Sequence, residues 1–268
     1  MAVISLTTDF GVIDEYVGVM KGVILSIDPH ARIVDLCHHI PPQDTMAAAL
    51  MIQAAYAYFP LHTIHLVVVD PGVGSKRKII AVKHQDHLFV APDNGVLSGV
   101  IASGGGTAIV QVENSDFHQP SVSHTFHGRD IMAPVAAYLS KGVAMGRLGR
   151  PLTLETIVTL DIPVARFIDA RTIEGLILAV DHFGNLITNI HANAISALAN
   201  VEGDESLIVE LGGTCIQGVR KSYQEAGGKG RPLAILGSRG FLEIAVNKGN
   251  AQAYFSAQKG DRVIVFCH

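Results

Sequence analysis

The sequence predicts an α/β N-terminal domain with a mostly parallel central sheet, residues 1–150, and a C-terminal all-β, barrel-like domain, residues 173–268, joined by a linker at 151–172. Three observations carry this. Up to residue 150, β-branched apolar runs alternate with stretches of helical periodicity. Beyond a stretch of mixed polarity holding Pro151 and Pro163, the apolar runs shorten and are separated by Gly, Asn and Asp, the pattern of antiparallel strands. A chain of 268 residues, 49% hydrophobic and 16% charged, is long enough to bury a core in each part without disulfides or metals.

In chain order, Val3 to Thr7 reads as a strand, followed by turn chemistry at Thr8-Asp9-Phe10-Gly11. Val17, Met20, Ile24 and Ile27 recur at helical spacing until Asp28-Pro29 ends the helix. Arg32 to Leu36 is strand-like, and Asp44 is placed to cap an Ala-rich helix running toward Phe59-Pro60. Thr63 to Val69 is a near-continuous apolar run, which marks a strand buried on both faces. Lys78 to Lys83, Leu88 to Ala91 and Thr107 to Val112 add strands, and Asp130 to Lys141 reads as a helix with Pro134 in its first turn. In the second half, strands are expected at Ile173 to Val180, Leu186 to Ile190, Leu207 to Leu211, Leu233 to Leu236, Phe241 to Val246 and Arg262 to Phe266.

Composition excludes several functions. Lys+Arg of 20 against Asp+Glu of 24 gives a net charge of −4, so no bulk basic field exists for nucleic acid or anionic lipid. Mean hydropathy is positive, but the longest apolar stretch, Met46 to Phe59, is interrupted by Gln53 and falls short of the ~20 residues that span a bilayer. Three widely spaced cysteines without a CxxC give neither a disulfide framework nor a zinc finger. The N-terminus lacks a basic n-region and reaches an acid by Asp9, so the expectation is a soluble, cytoplasmic protein. Thirteen histidines include the pairs His62/His65 and His84/His87, but a three-residue spacing on a strand puts two side chains on opposite faces, and no metal site is expected. GxSxG is absent, and no GxGxxG follows the first strand.

Open parallel sheets bind ligands at the carboxyl ends of their strands, near a switch in strand order. Two predicted strands run into acids there: Asp9, and Asp70 at the head of Asp70-Pro71-Gly72-Val73-Gly74. Arg77 follows Asp70 across a turn that can fold its guanidinium back to the carboxylate. His127, in Thr125-Phe126-His127-Gly128-Arg129-Asp130, precedes a helix and can carry a proton near neutral pH. In the second half, Asp181-His182-Phe183-Gly184-Asn185 and Gly237-Ser238-Arg239-Gly240 lie between strands. Those loops present a carboxylate, an amide and a guanidinium, groups that suit a zwitterion and a purine; they also suit plain hairpin turns.

The segments TTDFG, VVDPGVGSKR, APDNG, TFHGRD, DHFGN and GSRGF, in this order from residue 7 to residue 241, resemble the S-adenosyl-L-methionine (SAM) hydroxide adenosyltransferases, relatives of fluorinase and chlorinase. The resemblance implies an α/β domain linked to a β-barrel-like domain, a homotrimer with SAM held between neighbouring subunits, and the reaction SAM + water → adenosine + L-methionine. SAM is then the substrate, and no cofactor, metal, nucleic acid or membrane partner is implied. By position, Asp70, Arg77 and His127 match the set that places and activates water. Asp9 matches the ribose-binding acid, Asp181 with Ser238 and Arg239 the methionine-binding groups, and Phe183 with Asn185 the contacts around adenosine. The residues leave open whether Asp70 or His127 takes the proton. The fluorinase pattern carries Ser at Gly128, Tyr at His127 and at Asp70, an aromatic residue at Gln43 and an inserted N-terminal loop, so a halide-using adenosyltransferase is the weaker enzymatic alternative. A non-catalytic SAM or adenosine sensor is the other.

Overall fold

Two strands lie side by side inside the first sheet, buried along nearly their whole length: β1 (Val3–Thr8) and, beyond α1 (Tyr16–Ile27), β2 (Arg32–Cys37) and α2 (Thr45–Ala55), β3 (Ile64–Val68). The computed structural model describes residues 2–202 and 206–267, in two units, Met1–Ile162 and Pro163–His268. The first unit continues with β4 (Ile79–His84), β5 (His87–Pro92), α3 (Ser98–Ala102), β6 (Thr107–Gln111), α4 (Ala133–Ser140) and β7 (Pro151–Leu152). Its sheet order is β2-β1-β3-β5-β4-β6-β7.

One face of that sheet packs Ile4, Leu6, Leu66 and Val68 under Met20, Ile24 and Val135 of α1 and α4. The opposite face packs Val67, Val69, Val82 and Phe89 against Ile52 of α2 and Val100 of α3. Both faces of β3 are therefore buried, as its near-continuous apolar run predicts. Asp44 caps α2 by accepting from Ala47 N at 2.8 Å. Pro134 sits in the first turn of α4, where its missing N–H costs nothing.

The expectation of a mostly parallel sheet is corrected. β2, β1, β3 and β5 are parallel, but β4 runs antiparallel to both β5 and β6, and β7 antiparallel to β6, so the sheet is mixed. The cause is local. β4 and β5 are joined by only Gln85 and Asp86, with Gln85 at φ +50°, and two residues can connect only antiparallel neighbours.

Residues 151–172 carry structure of their own. β7 pairs with β6, Val158 N donates to Asp93 Oδ1, and Leu160 N donates to Ser98 Oγ. The boundary between the units falls at Ile162 and Pro163.

The second unit contains β8 (Arg166–Asp169), β9 (Thr172–Val180), β10 (Leu186–His191), α5 (Ala192–Glu202), β11 (Leu207–Leu211), β12 (Thr214–Gln217), β13 (Val219–Arg220), β14 (Pro232–Leu236), β15 (Phe241–Val246), α6 (Ala251–Phe255) and β16 (Arg262–Cys267). The strand order β12-β11-β16-β9-β10-β15-β14-β13, with β8 on β9, forms a nearly closed barrel-like sheet whose two ends, β12 and β13, are consecutive in the chain. It encloses Ile173, Ile177, Leu186, Leu242, Ile244 and Val263. The unit is not all-β, since α5 packs Ile195, Leu198 and Ala199, at helical spacing, against this core. Asn250 caps α6 through Ala253 N.

Candidate active site

The chain places β2 on one side of β1 and β3 on the other, which makes the β1/β3 boundary the switch point of the sheet. Asp9 follows β1 and Asp70 follows β3, so both acids emerge at the carboxyl ends of adjacent parallel strands. Both line one cavity of about 290 Å³, together with Phe10, Gln43, Phe126, His127 and Gly128.

Asp9 is held by its neighbours. Its Oδ2 accepts from Gln43 N at 2.8 Å, and Gly11 N donates to His38 O at 2.7 Å, which fastens the turn to the loop after β2. Behind the turn, the Thr8 hydroxyl meets His38 Nδ1 at 2.9 Å, and His38 Nε2 lies 3.0 Å from Asp35 Oδ1. Phe10, Tyr16 and Phe126 form a mutual aromatic cluster, with centroids 5.3–5.7 Å apart, and Phe10 and Phe126 of it wall the cavity.

Asp70 is fixed from two directions. Asn94, of the APDNG segment, donates from Nδ2 to Val69 O at 2.8 Å and pins the end of β3. The Pro71–Gly74 turn then folds Arg77 back. Its Nε donates to Asp70 Oδ1 at 2.7 Å and its Nη2 to Asp70 Oδ2, the bidentate fork that only guanidinium makes. The same Nη2 reaches His127 Nδ1 at 2.9 Å. The side chains of Arg77 and Asp70 are 10% and 6% exposed, so the pair is shielded from water on most sides. Gly74 makes this approach possible: it sits at φ +76°, and a Cβ there would overlap the backbone carbonyl of His124.

Burial first, and then the Arg77 charge, hold the His127 imidazole below its ordinary range; Asp70 and Asp130 oppose this only in part. His127 is therefore neutral at pH 7. Since Arg77 donates to Nδ1, the ring proton is on Nε2. His127 leads into a wide helical turn, Gly128–Met132, that precedes α4. Gly128 is tightly boxed: a Cβ there would stand 3.0 Å from Val68 Cγ1 and 3.4 Å from Met20 Sδ.

The second unit carries the other predicted residues. Asp181 organises its own turn, with Oδ1 accepting from Phe183 N at 2.9 Å and Asn185 N at 2.8 Å, and Oδ2 from Asn185 Nδ2 at 2.9 Å. Phe183 is 73% exposed at the tip. Gly184, at φ +82°, lies against the Asn250 side chain. Ser238 and Arg239 are exposed on the tight turn between β14 and β15, closed by Gly240 N donating to Gly237 O. Sequence reasoning missed Glu243, a buried acid beneath this turn.

The histidine pairs meet differently from the spacing argument. His62 lies in a turn at φ +66°, outside β3. His65 instead meets His87 across two neighbouring strands, Nε2 to Nδ1 at 3.2 Å. Among the described residues no three His, Cys, Asp or Glu side chains are grouped to hold a metal ion, and no helix is long and apolar enough to cross a membrane.

Residues 4–149 match the model of the SAM hydroxide adenosyltransferase N-terminal domain, and residues 175–264 that of the C-terminal domain. The chain belongs to the SAM hydroxide adenosyltransferase family. Among relatives of this family, the (R)-S-adenosyl-L-methionine hydrolase of Salinispora tropica is 37% identical over 266 residues, 98% of this chain and 97% of that protein. A fluorinase of Actinopolyspora mzabensis is 26% identical over 98% of this chain and 96% of its own. An uncharacterized conserved protein from Thermotoga maritima, 37% identical, superposes with a TM-score of 0.90 over 99% of this chain and 100% of that one. The adenosyltransferase resemblance read from six short segments thus extends over nearly the whole chain.

Proposed function

We propose that the protein hydrolyses SAM to adenosine and L-methionine by in-line attack of water on C5′. The observation that carries this is the Asp70–Arg77–His127 constellation, shielded from water and facing the same cavity as Asp9. Family membership and the hydrolase relatives support the substrate.

The sulfonium leaves as a neutral thioether, so departure needs no general acid. What remains is to hold a water oxygen opposite the C5′–S bond and to accept the proton it sheds. Arg77 donates to one lone pair on each Asp70 oxygen, and the carboxylate's other lone pairs stay free. His127 Nδ1 is occupied by Arg77, and its Nε2 carries a proton. Asp70 is therefore the acceptor, and His127 Nε2–H a donor that orients the water lone pair. As the O–C5′ bond forms, the C5′–S pair returns to sulfur, one water proton passes to Asp70, and the products are adenosine, methionine and H⁺. Holding the water is itself a large contribution, because correct orientation removes much of the entropic part of a barrier.

In this reading Asp9 accepts from the ribose hydroxyls, Phe183 and Asn185 contact adenosine, and Asp181, Ser238 and Arg239 hold the methionine end. The adenosyltransferase resemblance supports a homotrimer in which the second unit of one subunit completes the site of the next, in the cytoplasm, with no bound cofactor. Halogenation is disfavoured by the carboxylate of Asp70 at the nucleophile position and by Gly128, which lacks the hydroxyl of the fluorinase pattern.

Incubation with SAM in ¹⁸O-water, without added halide or metal, is expected to yield 5′-¹⁸O-adenosine and methionine by mass spectrometry. Recovery of intact SAM would favour the sensor reading, and a chloride-dependent 5′-chloro-5′-deoxyadenosine the halogenase one. A pH profile adds a second check. Turnover needs neutral His127, whose pKa is lowered, so activity falls only as pH drops below the ordinary imidazole value of 6.5. An acid limb centred above 6.5 in kcat would contradict the neutral-donor role.

A further inference from the structure

Asp9 has a task in the hydrolase reading, and the buried polar groups behind it have none. Asp9 follows β1 directly, and the chain before and after it is held by one residue. Thr8 places its hydroxyl 2.9 Å from His38 Nδ1, and Gly11 N donates to the His38 carbonyl at 2.7 Å. His38 thus grips the turn on both sides of Asp9, once through its ring and once through its backbone. Thr8 is fully buried and His38 is 4% exposed, so water does not compete for the ring contact.

His38 is itself braced from behind. Its Nε2 faces Asp35 Oδ1 at 3.0 Å, at an angle too bent for a full hydrogen bond. The other oxygen of Asp35 accepts from Lys21 Nζ, on α1, at 2.7 Å. A carboxylate only accepts, so the ring proton belongs on Nε2, and Nδ1 is left to accept from the Thr8 hydroxyl. That hydroxyl in turn accepts from Phe10 N at 3.3 Å. At the far end of the loop after β2, Gln43 holds φ +65°, a costly conformation for a residue with a Cβ. From there its N–H reaches Asp9 Oδ2 at 2.8 Å. A braced ring at one end of this loop and a strained residue at the other bear on the same carboxylate.

We propose that His38 and Thr8 are positioning residues for ribose recognition: they fix the Asp9 carboxylate in the orientation that receives the ribose hydroxyls. Neither lines the cavity, so they do this without touching the substrate. The proposal deepens the hydrolase reading and rests on it for the task of Asp9. An acceptor already held in place loses less freedom when its ligand arrives, so affinity for the nucleoside depends on a hydrogen bond outside the cavity. Asp70, Arg77 and His127 stand on other segments, and the clamp therefore acts on binding rather than on the chemical step.

The test is Thr8→Val, which keeps the shape and removes the hydroxyl, titrated calorimetrically with adenosine and with 2′,3′-dideoxyadenosine. Kd for adenosine is expected to rise roughly three- to tenfold, the worth of one hydrogen bond. Kd for the dideoxy compound, which has no hydroxyl to offer Asp9, is expected to stay at the wild-type value. Thr8→Ser, which keeps the hydroxyl, is expected to bind adenosine as wild type does. His38→Leu is expected to match Thr8→Val, with no further loss when the two are combined. KM for SAM should rise in parallel, with kcat within about twofold. An unchanged adenosine affinity in Thr8→Val, or an equal loss for both nucleosides, overturns the proposal. Should the buried variants fail to fold, Asp35→Ala, at a half-exposed position, withdraws the brace. It is expected to weaken adenosine by about two- to threefold and to spare the dideoxy compound, and an unchanged preference between the two nucleosides overturns the clamp. Asp9→Asn, run beside these, separates the two readings. If it leaves the preference for adenosine intact, the ribose role of Asp9 falls and the clamp with it. If it abolishes that preference while Thr8→Val leaves it alone, only the clamp falls. The readout is binding, so it stands whether or not SAM is turned over.

Discussion

Asp70→Ala is expected to lower kcat by on the order of a thousandfold, while adenosine affinity stays within a few fold of wild type. The first part follows from chemistry. Loss of a positioned proton acceptor costs about 10²–10⁴ in rate, and here the same substitution strips Arg77 of its bidentate partner and so loosens the tether on His127 Nδ1. The second part follows from geometry, since Asp9 is anchored independently, through Gln43 N and the Gly11–His38 bridge. Asp70→Asn separates charge from shape. It retains acceptor and donor atoms of the same size, yet it cannot take a proton, so its kcat should fall nearly as far. Methionine release measured beside calorimetric titration with adenosine checks both. Retention of more than a tenth of the wild-type rate in either variant would remove Asp70 from the mechanism.

The second large effect is on stability in acid. His65 is fully buried, and burial first, then the neighbouring His87, hold it at a pKa of about 3. A neutral arrangement satisfies both contacts, with Ser5 Oγ donating to Nδ1 at 2.7 Å and Nε2–H donating to His87 Nδ1. The ring stacks on Phe89 at 4.9 Å. Once unfolded, the same imidazole titrates near 6.5. As pH falls from 6.5 toward 3, the unfolded chain gains a proton that the folded one refuses, and stability is lost steadily. The loss is roughly 3 kcal/mol by pH 4 for this residue, and buried His84 and His87, also lowered, act in the same direction. His65→Gln should be less stable at pH 7 but should lose about ten degrees less in Tm between pH 7 and pH 4 than wild type does. Parallel declines in the two proteins would show that this network does not set the acid response.

Much of the candidate site was legible because its residues lie where strands end. A β-branched run halted by Asp and Gly announces a loop, and loops at the carboxyl ends of parallel strands are where ligands bind. That logic reached Asp9 and Asp70, and the Pro-Gly-x-Gly spacing reached Arg77. It could not reach Glu243. One acid inside Phe241-Leu242-Glu243-Ile244-Ala245-Val246 reads as an outward-facing strand position, and its burial depends on Ile187, Ile235 and Gly237 of other strands and turns. Sheet polarity escaped for a similar reason. Apolar runs look alike in either direction, and the informative feature was the two-residue gap between His84 and His87. The His65–His87 contact escaped because cross-strand pairs have no signature in linear spacing. α5 was readable, since Ile195, Leu198 and Ala199 carry helical periodicity, but it was overshadowed by the strand-like runs around it.

The confinement of Gly128 bears on how chemistry diverges within this family. A hydroxymethyl side chain at this position, which the fluorinase pattern carries, would crowd Val68 and lie close against Met20. Accommodating it requires Val68 to give by a few tenths of an ångström in a close-packed interior. A side chain at residue 128 is therefore felt first as a repacking of the contact between β3 and α1, before any change in chemistry.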